Sequence, residues 1–499
     1  MDYFNGIFLG FSVVIQPVNL VYCFAGVLVG TVIGVLPGIG PVAAIAILLP
    51  STFGIPPVTG IIMLAGIYYG AMYGGSTTSI LVNIPGEAAS VVTCLDGYQM
   101  ARQGRAGPAL GIAAFGSFIG GTISLIILMT LVYPLAAMAI KFGPPEYFAI
   151  MVMGLTVVTY LARGSLPKAM VMALVGLVLG CIGTDTISGK YRFVLGIREL
   201  SDGVPLVPMV MGIFGVAEVL TNLEKLGDLS VFETKIKNLF PNLEDWKKST
   251  GPIIRGSFLG TALGIIPGGG TILASFVDYS LEKRISKYPE KFGTGAIEGV
   301  AGPETANNSA VAGSFIPLMA FGIPANVVMA LILGALLIHG VAPGPLFVEQ
   351  HPDIFWGIII SMYVGNVMLL VLNLPLIPLW VKLLKVPYRI LFPLILLFCL
   401  IGVYSIDNSL FDIYIMVFFG TVSYILRKFE YEFAPLILAF IIGPMMETSF
   451  RQSLIMSNGS FLIFLQRPIS AVCIIISIAL LCINGLSFYR KKEKLSKLE

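Results

Sequence analysis

Charged residues are scarce in this chain of 499 residues: Asp, Glu, Lys and Arg make up 11% of it, whereas hydrophobic residues make up 57%. Soluble domains contain about 25% charged residues. The apolar runs 354–381, 390–406 and 469–488 are long enough to cross about 30 Å of hydrocarbon as helices. The short alternating strands of an outer-membrane barrel do not occur in the sequence. We therefore predict an all-α polytopic membrane protein.

Sequence motifs typical of catalytic and metal-binding sites are also missing. The chain has two histidines, no HExxH or GxSG sequence and no paired intramembrane aspartates, which argues against an enzyme. Its six cysteines form no CxxC pair, so we assign no metal site and no cofactor. The net charge of +3 forms no basic stripe for nucleic acid. No Lys or Arg precedes Arg102, so a signal peptide's basic region is lacking and we expect the first segment to stay in the mature protein.

A glycine-rich motif, GTxxGxxPGxG, occurs twice, at Gly30–Gly40 and Gly260–Gly270. A second pair of matches follows at similar spacing, since Ile84-Pro85-Gly86 after Gly74-Gly75 is echoed by Ile323-Pro324-Ala325 after Gly313-Ser314. Two ordered matches indicate an internal duplication.

The Pro-Gly-x-Gly part of the motif breaks a membrane helix and frees backbone groups that cannot face lipid. Paired breaks in two halves point to the binding site of a transporter. Close helix packing is the alternative, and we accept it for the GxxxG pairs Gly30/Gly34 and Gly260/Gly264. It does not explain why proline joins further glycines in both copies, so for Pro37–Gly40 and Pro267–Gly270 we favour a functional role.

The positions of Lys and Arg, which concentrate on the cytoplasmic side, give a topology. Basic loops flank the segment around Pro267 on both sides, but no Lys or Arg flanks the segment around Pro37. We therefore predict two re-entrant hairpins that enter from opposite faces, in two inverted-topology repeats with about eleven crossings. The same alternation places these residues on the cytoplasmic side: Lys382, Lys385, Arg389, Arg427 and Lys428.

The predicted segments follow from this topology. They are a first repeat 1–225 with a hairpin at about 18–50 and a broken helix 57–86, a charged cytoplasmic linker 226–251, a second repeat 252–488 with a hairpin at about 252–281 and a broken helix 308–341, and a basic cytoplasmic tail 489–499. The N-terminus would lie outside and the C-terminus inside.

The free ends of broken helices can bind ions. A half-helix N-terminus suits a carboxylate, and we expect Pro41 at the first helical position after one break and Thr271 as the cap after the other. Freed carbonyls and hydroxyls suit Na⁺. The candidate substrate-binding and ion-binding residues are Pro37, Gly38, Gly40, Ser76, Thr77, Thr78, Asn83, Pro267, Gly268, Gly269, Gly270, Thr271, Glu304, Asn307, Asn308 and Pro324.

These candidates have alternatives. A serine or threonine in a membrane helix often bonds only to its own backbone, whereas two adjacent amides such as Asn307 and Asn308 are costly at membrane depth without partners. We interpret the carboxylates near the membrane boundary as solvated loop charges, namely Glu87, Asp278, Glu298 and Glu304, and only Glu304 lies close enough to a polar cluster to be a candidate. We expect His339 to be a packed or interfacial residue.

Long motifs carry a family resemblance. They are LGFSVVIQPVNLVYCFAGVLVGTVIGVLPGIGP, YGGSTTSILVNIPGEAAS, LDGYQMARQGRAGPALGIAAFGSFIGG, IEGVAGPETANNSAVAGSFIPL and ALLIHGVAPGP. With them the chain resembles the large membrane subunit of the tripartite tricarboxylate transporters, the TctA family, while about the last 100 residues carry little signature. Ala325 departs from the family's usual Gly-Ile-Pro-Gly.

The resemblance implies secondary, Na⁺-coupled uptake of a small carboxylate across the cell (inner) membrane. It also implies two partners, a soluble extracytoplasmic solute-binding protein and a small four-helix membrane subunit. We expect both hairpin tips and both breaks to converge near the midplane and to move, elevator-like, in alternating access. An ion channel and an intramembrane enzyme are the alternatives. Arg or Lys at membrane depth, which could distinguish substrates by their number of carboxylate groups, is nearly absent, so the sequence does not identify the substrate.

Overall fold

Almost all of the regular secondary structure in the described residues is helical. The computed structural model describes residues 3–36, 40–161, 165–185, 187–224, 238–268, 270–383 and 388–496. The α-helices are α1 Tyr3–Val14, α2 Pro17–Val35, α3 Pro41–Leu48, α4 Pro57–Val82, α5 Val91–Arg102, α6 Ala106–Ala139, α7 Pro144–Leu161, α8 Leu166–Gly180, α9 Leu206–Val210, α10 Ala217–Glu224, α11 Leu243–Ile265, α12 Gly270–Ile285, α13 Glu298–Phe321, α14 Val327–Ile338, α15 Phe347–Gln350, α16 Pro352–Asn373, α17 Ile377–Leu383, α18 Tyr388–Asp407, α19 Leu410–Lys428, α20 Ala434–Met456, α21 Ile463–Gln466 and α22 Pro468–Ser496.

Shorter elements connect these helices. A π-helical turn, Met211–Val216, joins α9 to α10, and 3₁₀ turns occur at Leu49–Thr52, Ala88–Ser90, Arg198–Asp202 and Pro289–Lys291. One antiparallel hairpin pairs β1, Gly183–Thr184, with β2, Tyr191–Arg192.

Within the part of the chain that the structure describes, 7 helical segments are long and apolar enough to cross a membrane. They are Pro17–Val35, Pro57–Val82, Ala106–Ala139, Pro144–Leu161, Leu206–Glu224, Pro352–Asn373 and Leu410–Lys428. Several shorter apolar helices accompany them, including α1, α8 and α14. The prediction of an all-α polytopic membrane protein is confirmed, while the number of crossings, their direction and the inverted relation of the repeats stay predictions.

Glycines bring the two halves' matching helices into close contact. A Cβ at Gly30 or Gly34 of α2 would lie 2.5 or 2.2 Å from a carbonyl oxygen of α4. A Cβ at Gly260 or Gly264 of α11 would lie 2.2 or 2.4 Å from a carbonyl oxygen of α13. Any larger side chain would therefore separate the backbones. The packing role expected for these four glycines is confirmed, and α2 meets α4 as α11 meets α13.

Helices α4 and α13 form the centre of the bundle. Residues 59–81 of α4 and 299–320 of α13 are buried without interruption. Each helix then ends on a left-handed residue, Asn83 with φ 59° and Gly322 with φ 71°. The chain breaks directly after both, as predicted for 57–86, and resumes as a 3₁₀ turn before α5 and as α14.

Several predicted boundaries differ from the structure. Helix α13 begins at Glu298, ten residues before the predicted start, and α11 begins at Leu243, where Asn242 and Asp245 form a capping box. Residues 243–251 of the predicted linker are therefore helical, and 226–237 lie outside the described residues. Helix α22 continues into the predicted tail as far as Ser496.

The predicted cap of α12 is wrong. The helix begins at Gly270, so Thr271 is its second residue and cannot be the N-cap. Pro41 does occupy the first position of α3, after Gly40 as the N-cap residue.

Candidate functional site

Both glycine-rich motifs and both helix breaks line one cavity of about 810 Å³. The first motif contributes Gly40 and Pro41, and the second contributes Gly268, Gly270 and Thr271. The break after α4 contributes Glu87 and Ala88, and the break after α13 contributes Asn326 and Val327. Segments about 230 residues apart in the sequence therefore face the same space.

Four helical elements begin at this cavity: α3, α12, α14 and the 3₁₀ turn that leads into α5. The first amides of a helix have no intrahelical partner and carry partial positive charge. Side chains cap two of these starts, because Ala89 N donates to Glu87 Oε2 (2.5 Å) and Met329 N donates to Asn326 Oδ1 (3.0 Å). Helix α3 has no side-chain cap, since its N-cap residue is Gly40.

The tip between α11 and α12 is tied to the break after α13. Gly268 N donates to Ala325 O at 2.7 Å, and Gly268 has φ +79°. A Cβ at Gly268 would lie 2.9 Å from Val158 Cα of α7. Glycine is therefore required here both for the left-handed backbone and for the close approach of α7.

A buried polar network connects α13 to three other helices. Glu304 accepts hydrogen bonds from Ser76 of α4 (2.5 Å) and from Thr93 of α5. Asn308 Nδ2 donates to Ser117 Oγ of α6 (2.7 Å) and to the Glu304 carbonyl (3.1 Å). The network thus links the predicted residues Ser76 and Asn308 through Glu304, whose carboxylate binds Ser76 and whose backbone carbonyl binds Asn308.

Asn307 joins this part of α13 to the cavity wall. Its Nδ2 donates to Glu87 Oε1 at 3.3 Å. The Oδ1 atoms of Asn307 and Asn308 are buried and accept no hydrogen bond from the described residues. Buried oxygens without donors have unused acceptor capacity, which a cation could occupy.

The expected solvation of the carboxylates is wrong for three of them. Glu87 is 6% exposed, Asp278 0% and Glu304 1%, and Glu298 is half-buried. Glu87 packs against Gly75 and Asp278 against Gly302, while Glu304 is bonded to hydroxyls of two other helices, and the charge pattern alone does not reveal these contacts. His339 is half-buried with its ring centroid 6.3 Å from that of Phe53, as expected of a packed residue.

Other candidates lie outside the cavity lining. Thr78 Oγ1 donates to Val35 O (2.6 Å) and so satisfies a carbonyl at the end of α2, and the exposed Asn83 ends α4. Thr77 is buried beside Ser76, and Pro324 is buried within its break. Pro267 directly precedes the tip glycine. Pro37, Gly38 and Gly269 lie outside the described residues.

The sequence interpretation missed several cavity residues. Asn326 Nδ2 donates to the hydroxyl of the buried Tyr68 (3.2 Å), and both line the cavity. Arg427, which its charge assigned to the cytoplasmic side, also lines it. An Asn directly after a break and before an apolar run is a helix-cap signal that could have identified Asn326.

Arg427 is held in place by two partners. Its Nη1 pairs with Glu218, and its Nη2 donates to Ile213 O at 2.9 Å. Ile213 lies in the π-helical turn between α9 and α10, and its carbonyl also accepts from Ser423 Oγ (3.3 Å). Single π-helical turns often occur at functional sites. One guanidinium is thus fixed at the cavity wall.

The architecture defines a class: a multi-pass helical membrane protein in which two broken helices and two glycine-rich loops surround one cavity, as in membrane transporters. The profile described as "Tripartite tricarboxylate transporter TctA family" matches residues 20–438. The chain therefore belongs to the TctA family, as its motifs predicted. This is a family of transporter subunits rather than of enzymes, and a tripartite transporter implies partner subunits.

Two relatives come from Agrobacterium vitis. The chain is 52% identical over 493 residues to the "Uncharacterized 52.8 kDa protein in TAR-I ttuC' 3'region", covering 99% of this chain and 98% of that protein. It is 51% identical over 226 residues to the "Uncharacterized protein in TAR-II ttuC' 3'region", covering 44% of this chain and 93% of that protein. No solved structure matches the chain.

Proposed function

We propose that the chain is the large membrane subunit of a secondary active transporter that takes up a small di- or tricarboxylate together with Na⁺. A soluble solute-binding protein delivers the substrate outside the cell membrane, and a small four-helix membrane subunit assists. The C-terminus lies in the cytoplasm. The observation that carries this proposal is the meeting of four helical N-termini at one cavity.

The N-termini of α3 and α12 supply the carboxylate site. Backbone amides at the start of a helix point outward and favour an anion without requiring a basic side chain. The residues at both starts, Pro41 and Thr271, line the cavity, and no side chain caps α3. Arg427 lies on the same wall, and although Glu218 balances its charge, its guanidinium has N–H groups beyond the two already bonded that suit a second carboxylate on the substrate.

The carboxyl group of Glu87 in the cavity lining favours coupling to a cation. Glu87 lines the cavity, so a substrate carboxylate would meet a like charge unless a cation came with it. Its neighbour Asn307 and the adjacent Asn308 offer buried amide oxygens without donors. Oxygen ligands of this kind suit Na⁺. We therefore assign the cation to the region of Glu87 and α13, and the substrate to the helix starts.

Alternating access requires a unit that moves. Helices α11 and α12 both pack on α13, and the tip between them is hydrogen-bonded to the break after α13. We propose that these three helices move as one body, elevator-like, against the remaining helices. The matched arrangement of α2 and α4 supports a corresponding unit in the first half.

Uptake into proteoliposomes tests the proposal. The complex of all three components is reconstituted, and entry of labelled di- and tricarboxylates is measured with an inward Na⁺ gradient, with equal Na⁺ on both sides, and with K⁺ in place of Na⁺. Saturable uptake that requires the Na⁺ gradient supports it. Passive ohmic conductance without saturation would favour a channel, and uptake equal in K⁺ would refute Na⁺ coupling.

A further inference from the structure

An isolated carboxyl group lies inside the second hairpin, away from the cavity lining. Asp278 of α12 is 0% exposed, and both of its side-chain oxygens lack a hydrogen-bond partner among the described residues. An ionised carboxylate in such a place loses its hydration without compensation, and a group in that position becomes neutral instead. The proposed transport mechanism makes no use of this residue.

Two neighbouring helices leave room for this carboxyl group. A Cβ at Gly302 of α13 would lie 2.2 Å from Asp278 Oδ2, and a Cβ at Gly256 of α11 would lie 3.3 Å from Oδ1. Both helices therefore present glycine where the acid packs. The hydroxyl of Ser275, three residues earlier on α12, donates to Thr271 O and Pro303 O instead. The site accommodates a carboxyl group but offers it no donor.

The charged groups around Asp278 are already paired. Glu282, one turn further along α12, accepts from Arg255 Nε at 2.7 Å and from Nη2 at 2.6 Å. This bidentate pair uses the cation that α11 presents to the site. On the side of α5, Asp96 accepts from the Tyr279 hydroxyl at 2.9 Å. An ionised Asp278 would thus add a second negative charge beside Glu282 without a cation of its own.

We propose that Asp278 is a proton-binding site: its carboxyl group carries one proton while α12 is packed on α11 and α13, and the proton passes to water only when this packing is lost on unfolding. Because the packed arrangement binds the extra proton, lower pH stabilises it and higher pH weakens it. The bound proton thus helps to keep α11, α12 and α13 together as one body.

Infrared spectroscopy of the full-length protein in lipid tests the proposal directly. The wild-type protein at neutral pH should show a carboxylic-acid C=O stretching band that Asp278→Asn lacks. Glu290→Gln, in the exposed 3₁₀ turn Pro289–Lys291, is the matched control and should leave the band unchanged. A wild-type spectrum that matches that of Asp278→Asn in this region would overturn the proposal.

Thermal unfolding in detergent gives a second readout. Raising the pH should lower the wild-type midpoint over one protonation step, and this part of the pH dependence should be lost in Asp278→Asn. If Asp278→Asn does not fold, Asp278→Ser is used in its place. If neither variant folds, the pH titration of the wild-type infrared band is the test. An unaltered pH profile in the variant would refute the assignment. Neither measurement requires substrate, so failure of the uptake assay would not affect them.

Discussion

Replacing Gly268 by alanine should impair transport far more than the loss of a hydrogen atom suggests. The residue has φ +79°, and a Cβ there would lie 2.9 Å from Val158 Cα and 3.0 Å from Val158 N. Side chains cannot rotate away from such a contact because the Cβ is fixed by the backbone. The tip must therefore shift away from α7, and the bond from Gly268 N to Ala325 O (2.7 Å) moves with it.

The magnitude follows from two terms. A non-glycine residue held in the left-handed region costs about 1–3 kcal/mol. Steric displacement of a packed group costs a further ~1–3 kcal/mol. The native tip would then be disfavoured by about 2–6 kcal/mol, and each 1.4 kcal/mol is about tenfold in population. We expect uptake to fall at least about 30-fold while the amount of protein in the membrane stays the same.

Gly104 provides the matched control. It has φ +78°, almost the same as Gly268, but nothing lies within 4 Å of a Cβ built there. Gly104→Ala therefore carries the backbone term without the contact with α7. Initial rates of uptake are measured for both variants in proteoliposomes, after normalisation to inserted protein. Equal rates for Gly268→Ala and Gly104→Ala would show that contact between the tip and α7 has no part in transport.

Three further outcomes follow from the described contacts. Glu304→Gln places an amide donor where the Ser76 hydroxyl donates, so we expect a loss of about 1–3 kcal/mol in unfolding free energy; an unchanged thermal midpoint contradicts this. Arg427→Lys keeps the positive charge but loses the planar guanidinium with its paired N–H donors, so KM for a dicarboxylate should rise about tenfold or more. Arg427→Gln should raise KM further. KM values equal to that of the wild type in initial-rate measurements would refute a substrate contact. In the loop before β2, hydrogen bonds from Ser188 and then from Ile187 N hold the pKa of Asp185 below its usual value. That stabilisation is present above the ordinary aspartate range and is lost as pH falls, so Asp185→Asn should flatten the acid limb of thermal stability, and an identical acid limb argues against it.

Much of the framework could be predicted because glycine and proline act locally. A break at Pro-Gly-x-Gly, a first-turn proline at Pro41 and close approach at Gly30 or Gly260 follow from backbone geometry, which the sequence determines nearly alone. The family assignment followed from the same motifs.

Partners across the fold could not be predicted in this way. Charge near an apolar segment does not reveal whether a carboxylate meets water or, like Glu304, two hydroxyls on other helices. The start of α13 was missed because Pro303, Glu304 and the two asparagines look like a loop, although burial among other helices keeps them helical. Arg427 was assigned to a side of the membrane by charge alone, whereas its position depends on a π-helical turn about 210 residues away in the chain.

The burial of α13 has a consequence for how the protein is made. This helix carries Glu298, Glu304, Asn307 and Asn308 and does not reach the hydropathy of the candidate spans. A charged residue at the centre of a lone helix opposes its insertion by about 2.5–3.5 kcal/mol. Insertion of α13 into the bilayer by itself is therefore disfavoured, and its polar side chains are satisfied only when α4, α5 and α6 are present to bond them. Since these helices precede α13 in the chain, the second half should integrate against a first half that is already in the membrane.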